Sequence, residues 1–175
     1  RFWRRYPLLD FYVVKEGEMS LIELIGALTR YEFNVAALKN DGTIIPNCHY
    51  VQGGKFVCGE LLDRLKSLDE IPSPYLAGLM DKFFDNILIP MTHTTRGCPF
   101  RCTFCTEGVS YFNRVARRAN LGILAEELEY IARRVGTVQD LIITDANFGM
   151  FKEDIEKAKI IAVIQARHGW PRHIH

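Results

Sequence analysis

Residues 94–105 read TTRGCPFRCTFC and place three cysteines, Cys98, Cys102 and Cys105, on one short segment. A cubane iron–sulfur cluster of the [4Fe-4S] type is ordinarily held by four cysteine thiolates. Three thiolates would hold three of its irons and leave the fourth open to a substrate or cofactor. Gly97 and Pro99 favour a loop here, because glycine reaches backbone angles closed to other residues and proline discourages a helix.

Two other uses of these thiols stay open at this stage. A structural zinc site needs four ligands, and Cys102-x2-Cys105 supplies one pair, which Cys98 and His93 would complete only in a cramped geometry. A disulfide fits less well, since five cysteines leave one unpaired and nothing marks the chain as secreted.

Composition sets looser limits. The chain has 175 residues, 48% of them hydrophobic, and a formal net charge of +1. We expect one buried core and part of a second, with no general electrostatic attraction to nucleic acid or membrane. No apolar run reaches the roughly 20 residues that span a bilayer, so we expect a cytoplasmic protein. Arg1 in place of Met and an abrupt end at His175 suggest a fragment of a longer enzyme.

The first region, residues 1–32, has a strand–turn–helix pattern. Phe11–Val14 is predicted to be a short strand, and Ser20 with Glu23 forms a capping-box pattern at the start of an amphipathic helix. This order resembles the C-terminal end of a Rossmann-like domain.

The second region, residues 33–85, is predicted to be a linker with a β-hairpin. The hairpin is placed at residues 39–42, where Asp41-Gly42 lies between two apolar runs. Leucines between residues 61 and 68 suggest a short helix. Cys48 and Cys58 match no metal-ligand spacing and are predicted to be buried structural thiols.

The third region, residues 86–175, is predicted to alternate strands and helices. Strands are expected at 87–92 and 141–144. One helix is expected to carry Leu124, Leu128, Ile131 and Val135 on one face and to stop at Gly136, a second runs from about 152 to 167, and a further strand starts at the end. The second helix is predicted to turn Ile155, Ala158, Ala162 and Ile161 inward. The fold class is therefore α/β, with the first βα units of a partial TIM-type barrel.

Polar side chains follow the second of these strands. In such a sheet, the loops at the carboxyl ends of the strands meet, so Thr144, Asp145 and Asn147 are expected near the cysteines. Asp145 and Asn147 either bind a cofactor or cap the next helix. Phe104 either lies against a cofactor or packs in the core. The arginines at 114, 117 and 118 are predicted to form a solvated face.

The spacing C-x3-C-x2-C, with Phe104 before the last cysteine, resembles the signature of the radical S-adenosylmethionine (radical SAM) superfamily. The resemblance implies that Cys98, Cys102 and Cys105 hold a [4Fe-4S] cluster whose open iron binds SAM. Phe104, Thr144, Asp145 and Asn147 would contact SAM. An electron from the cluster would then cleave SAM to give a 5′-deoxyadenosyl radical. A reductant such as flavodoxin or ferredoxin would supply that electron to the cluster.

The flanking sequence resembles the cobalamin-binding-domain subfamily of these enzymes. The resemblance rests on residues 16–18, the predicted hairpin, the proline-containing run 69–76, residues 95–99 and residues 145–148. It implies cobalamin as a further cofactor and methyl transfer or rearrangement on a small-molecule substrate. The subfamily motif D-x-H-x-x-G is absent from these 175 residues, so no residue here is assigned to cobalamin, and the chain is not expected to turn over alone.

Two alternatives remain from the sequence. One is a radical SAM enzyme without cobalamin, similar to the methylthiotransferases. The other is a non-catalytic module whose thiols hold zinc or an electron-transfer iron–sulfur cluster.

Overall fold

The structure is a computed structural model that describes Tyr6 and residues 8–175. The start of the first predicted region, at residues 1–5 and 7, lies outside the described residues. The chain divides into two compact units, residues 1–64 and residues 65–175.

Unit 1 combines two helices with a three-stranded antiparallel sheet. Its elements are β1 (Tyr12–Val13), α1 (Glu18–Arg30), α2 (Val35–Asn40), β2 (Cys48–Gln52) and β3 (Lys55–Cys58). The sheet order is β1-β2-β3. Apolar side chains from α1, α2 and β2 form its core, among them Leu24, Leu38 and Cys48.

The predicted hairpin is misplaced. Residues 35–40 form α2 because the side chain of Asn34 caps this helix, accepting a hydrogen bond from Ala37 N at 3.0 Å. The hairpin instead joins β2 to β3 through Gly53 and Gly54, whose φ angles are 55° and 76°. Two successive positive φ angles suit a tight hairpin turn, and glycine adopts them without strain.

Two further local predictions are wrong. Ser20 is not a helix cap: α1 starts at Glu18, and Ser20 is buried inside the helix with its hydroxyl donating to Pro46 O at 2.7 Å. The short helix expected near residues 61–68 is replaced by irregular backbone, followed by a 3-10 turn at Leu68–Glu70. In that segment Leu62 N donates to the side chain of Asn47, so its amide serves a tertiary contact instead of a helix.

Cys48 and Cys58 differ in exposure. Cys48 is buried, and desolvation raises the pKa of its thiol. Cys58 is exposed at the end of β3, which lies at the edge of its sheet and has no buried residue. The prediction of a buried thiol is thus confirmed for Cys48 and wrong for Cys58.

Unit 2 contains a parallel sheet with helices between its strands. The elements are β4 (Met91–Thr92), β5 (Thr95–Arg96), β6 (Ala116–Arg117), α3 (Leu121–Ala132), β7 (Asp140–Ile143), α4 (Asp154–His168) and β8 (His173–Ile174). The order β4-β7-β8 is parallel throughout, with Thr92 opposite Ile143 and Leu141 opposite Ile174. β4 is shorter than predicted, since residues 87–89 pair with no strand of the described chain and are exposed.

The core of unit 2 lies between the helices and this sheet. Leu124, Leu128 and Ile131 of α3 are buried on one face as predicted, together with Leu141 of β7. Gly169 ends α4 with a φ of 68°, as the sequence indicated.

The predicted inward face of α4 is largely wrong. Of the predicted residues only Ile161 is buried, while Ile155 is 61% exposed. The buried face instead carries Asp154, Lys157 and Ile164. This face includes the ion pair between Asp154 and Lys157 in the first turn, which a count of apolar residues does not detect.

Ion pairs also connect the outer surfaces of α3 and α4. Glu129 lies 2.7 Å from Arg133, 3.0 Å from Arg167 and 3.0 Å from His168 Nε2. Contact with His168 lowers the pKa of Glu129 to about 2; desolvation opposes this, and Arg133 reinforces it. The acidic group therefore stays ionised well below neutral pH.

Mixed α/β architecture with a parallel sheet is confirmed. The finer descriptions, a Rossmann-like end, a linker and a partial TIM-type barrel, remain predictions. Among the described residues, no helix combines the length and the apolar character that crossing a bilayer requires.

Candidate functional site

The three cysteines lie on a loop that is closed at its base. We define the cysteine loop as residues 97–115. β5 enters it and β6 leaves it, and the two strands pair antiparallel with Thr95 opposite Arg117 and Arg96 opposite Ala116. Arg118 N adds a hydrogen bond to Thr94 O at 2.9 Å. The ladder therefore fixes where the loop starts and ends.

Within the loop the backbone is tightly folded around Cys102. Cys105 N donates to Cys102 O at 3.2 Å, and Gly108 N donates to Cys105 O at 3.0 Å. A Cβ atom on Gly108 would lie 2.2 Å from Cys102 O, so only glycine fits there. At the entrance Gly97 has a φ of 93°, which a residue with a side chain rarely adopts.

The thiols are accessible but not gathered into a metal-binding geometry. Cys102 and Cys105 are exposed and Cys98 is half-buried. In the part of the chain that the structure describes, no three Cys, His, Asp or Glu side chains lie together as metal ligands would. The donor chemistry nevertheless suits a [4Fe-4S] cluster, because three cysteine side chains share one loop and two of them are exposed.

His93, considered above as a zinc ligand, is engaged elsewhere. Its Nε2 atom lies 3.0 Å from Thr95 O. Desolvation lowers the pKa of His93, so the ring is neutral at physiological pH.

The loop that follows β7 meets the cysteine loop, as the topology predicted. We define the β7 loop as residues 144–153. Asn147 Nδ2 donates to Cys98 Sγ at 3.0 Å. Thr144 pairs with the end of β4 instead, since its N and Oγ1 atoms donate to Thr92 O at 2.9 and 3.2 Å.

Asp145 is the main link between the β7 loop and the strand that enters the cysteine loop. Its Oδ1 atom accepts hydrogen bonds from Thr94 N at 2.7 Å and Thr95 N at 3.0 Å. Its Oδ2 atom accepts from the hydroxyl of Thr94. The carboxylate is 1% exposed and lies 3.8 Å from Lys157 Nζ. In this structure both of its oxygens are occupied by the protein.

Lys157 was missed by the sequence analysis. Its ammonium is 1% exposed and donates to Asp154 Oδ1 at 2.7 Å and to Thr95 Oγ1 at 2.9 Å. The available signal was an acid and a base three residues apart in the first turn of a helix, which usually marks a solvent-exposed pair.

The remaining predicted residues show mixed outcomes. Phe104 is 92% exposed, so it does not pack in the core, and nothing tests its contact with SAM. Of the three arginines expected on a solvated face, Arg114 is exposed and Arg118 is buried. Arg117 is half-buried and lies 3.3 Å from Glu153.

Comparison with known proteins adds independent information. No family model matches the chain. It is 32% identical over 179 residues to the cobalamin-dependent radical SAM methyltransferase TokK of Streptomyces tokunonensis. It is 34% identical over 179 residues to a 2-(S-pantetheinyl)-carbapenam-3-carboxylate methyltransferase of Streptantibioticus cattleyicolor. Each alignment covers 99% of this chain and 25% of the relative, so the chain spans about a quarter of these curated relatives.

Solved structures show the same fold. The cobalamin-dependent SAM radical enzyme OxsB, solved with aqua-cobalamin and SAM bound, matches with a TM-score of 0.62 and 22% identity over 95% of this chain and 22% of that one. The methyltransferase TsrM of Kitasatospora setae, solved with cobalamin and a [4Fe-4S] cluster bound, matches with a TM-score of 0.57 and 17% identity over 96% of this chain and 32% of that one. At these identities the likeness concerns the fold.

Proposed function

The chain is homologous over nearly all its length to a segment of the cobalamin-dependent radical SAM enzymes, and on that premise we propose that it carries their iron–sulfur site. The observation that carries the proposal is the cysteine loop itself, with three accessible thiols on one loop closed by the β5–β6 ladder. These relatives confirm the resemblance to cobalamin-dependent radical SAM enzymes that the cysteine motif and its flanks indicated.

Cys98, Cys102 and Cys105 would hold a [4Fe-4S] cluster as thiolates. When bound, this cluster supplies the electron that cleaves SAM and starts radical chemistry. Asn147 would keep its hydrogen bond to Cys98 Sγ, and hydrogen bonds to cluster sulfurs are one of the factors that set the reduction potential.

The other predicted SAM contacts have unequal support. Phe104 is available because its ring is solvent-exposed on the cysteine loop. Thr144 and Asn147 lie on the β7 loop. The side chain of Thr144 donates a hydrogen bond to Thr92 O, and that of Asn147 donates one to Cys98 Sγ. Asp145 would have to release a backbone amide or the Thr94 hydroxyl to reach a ligand, so its geometry favours support of the loop.

The wider reaction is proposed from the relatives. We infer cobalamin-dependent methyl transfer or rearrangement on a small-molecule substrate, with a reductant such as flavodoxin or ferredoxin. Residues 1–32 would be the end of a cobalamin-binding domain, residues 33–85 a linker, and residues 86–175 the start of the barrel. The water-free environment that a primary radical needs would come from the completed active site.

Anaerobic reconstitution with iron and sulfide tests the proposal without requiring turnover. We expect about four irons and four sulfides per chain. Replacing Cys98, Cys102 or Cys105 singly by Ala should remove most of the iron. Cys58→Ala is the matched control, because this thiol is also exposed but lies on β3, far along the chain from the loop. Stoichiometric zinc without iron, or equal loss in the Cys58 variant, would contradict the proposal.

A further inference from the structure

Lys157 is a buried cation in unit 2 to which the proposed function assigns no role. Its side chain is 1% exposed, although lysine ammonium groups are almost never fully buried unless paired. Here the ammonium donates hydrogen bonds to Asp154 at 2.7 Å and to the hydroxyl of Thr95 at 2.9 Å, and it forms a longer ion pair with Asp145 at 3.8 Å. These three partners belong to α4, β5 and the β7 loop, so one ammonium joins three separate segments.

Each carboxylate beside Lys157 in turn holds backbone. Asp154 Oδ2 accepts from Gly149 N at 2.9 Å and from Phe151 N at 3.0 Å, which fixes the end of the β7 loop. Burial opposes ionisation of Asp154, but hydrogen bonds from Lys157 and from these amides lower its pKa. Asp145 holds the amides of Thr94 and Thr95. The network therefore contains one ammonium and two carboxylates, and it contacts β5, the strand that enters the cysteine loop.

We propose that Lys157 is a positioning residue for the cysteine loop: its ammonium holds β5 and the β7 loop together, so that Cys98 is presented at a fixed place. Thr95, whose hydroxyl accepts a hydrogen bond from Lys157 Nζ, lies three residues before Cys98. Asn147 lies two residues after Asp145 and donates to Cys98 Sγ. The proposal rests on the proposed function only in taking this loop as the iron–sulfur site.

The charges that face Lys157 explain why a neutral side chain would not serve. One ammonium lies beside two buried carboxylates, and removing it would take away the cation that pairs with both. Breaking a buried ion pair is far more disruptive than losing a surface pair, because the remaining charge is uncompensated. Asp145 would then be expected to draw in water or shift, and Thr94 and Thr95 would move with it.

Amide hydrogen exchange on the unloaded chain tests the proposal locally. In Lys157→Met we expect the amides of Thr94, Thr95 and Cys98 to exchange about 10- to 100-fold faster, the loss of roughly one hydrogen bond to a charged group. Amides in the centre of β7, such as Leu141 N, should keep their protection. A residue that merely stabilised the unit would raise exchange everywhere, so a uniform increase overturns the proposal.

Lys159→Met is the matched control. Lys159 is in the same helix and pairs with Glu156 at 2.7 Å three residues away, but its side chain is 65% exposed. We expect no change at Thr94, Thr95 or Cys98 in this variant. An effect equal to that of Lys157→Met would overturn the proposal, as would unchanged exchange at these three amides in Lys157→Met.

A double variant covers the case in which Lys157→Met does not fold. Lys157→Met with Asp154→Asn removes one of the stranded carboxylates, so it should fold while still lacking the contact to Thr95. We expect local fast exchange in the double variant, and failure of both variants to fold overturns the local role. Iron uptake is measured in parallel. If the unsubstituted chain takes up none, the proposed function fails while exchange still decides the role of Lys157.

Discussion

Replacing Asp145 by Asn should destabilise unit 2 strongly, because this carboxylate accepts three hydrogen bonds in a buried position. A hydrogen bond to a charged group contributes about 1.5–3 kcal/mol, and a neutral one about 0.5–1.5 kcal/mol. Asn replaces the charged acceptor with a neutral one, so each of the three hydrogen bonds loses the difference, about 1 kcal/mol. The total loss in the free energy of unfolding is roughly 3 kcal/mol. The lost attraction to Lys157 adds to this in the same direction.

Urea unfolding measures this effect. Trp170 is 3% exposed and packs in the core of unit 2, so its fluorescence reports on that unit. Trp3→Phe provides a background in which it is the sole tryptophan. With an m-value of about 2 kcal/mol/M, Asp145→Asn should lower the midpoint by about 1.5 M.

Asp140→Asn is the control for this measurement. Asp140 lies on β7 and contacts His175 at 2.8 Å, but its side chain is 32% exposed, so its loss should change stability by less than about 1 kcal/mol. If Asp145→Asn is no more destabilising than Asp140→Asn, the supporting role is refuted. Weaker SAM binding at unchanged stability would instead favour the predicted contact between Asp145 and SAM.

Three further substitutions test other parts of the structure. Gly108→Ala should abolish most iron uptake while circular dichroism stays unchanged, because its Cβ would meet Cys102 O at 2.2 Å. Ile161→Ala should lower the free energy of unfolding by about 2–5 kcal/mol, whereas Ile155→Ala on the exposed face should change it by about 0.5 kcal/mol or less. Glu129→Gln should flatten the pH dependence of thermal stability between about pH 4.5 and 2, since the ionised group's contribution is present above pH 4.5 and is lost as the pH falls toward 2.

Each of these has a control and a contradicting outcome. Gly26→Ala adds a Cβ with no neighbour within 4 Å, and equal iron loss there would discount the steric argument at Gly108. Equal effects at Ile155 and Ile161 would contradict the observed orientation of α4. Glu156→Gln serves as an exposed acidic control, and an equal change in acid stability there would remove the special role of Glu129.

The sequence predicted the parts of the structure that depend on apolar periodicity and on parallel-sheet topology. In α3, Leu124, Leu128 and Ile131 are all buried as expected from their helical spacing, although the buried face also includes the charged Glu127. Asn147 meets Cys98 because loops at the carboxyl ends of neighbouring parallel strands meet wherever such a sheet forms.

The remaining features depend on polar contacts over long sequence separations. The buried face of α4 includes Lys157 and Asp154, and an Asp–Lys pair in a first turn has the same local sequence whether it is buried or exposed. Asp145 is separated by 50 and 51 residues from the amides that it holds, so no local pattern could assign its partners. The hairpin was misplaced because residues 35–38, expected to form its first strand, belong to α2, the helix that Asn34 caps.

The most direct test of the central claim is electron paramagnetic resonance of the reconstituted, reduced chain with and without SAM. If Cys98, Cys102 and Cys105 hold three irons and leave one open, addition of SAM should change the cluster signal. A [4Fe-4S] signal that SAM leaves unchanged at saturating concentration, or a chain that holds no iron, would contradict the account.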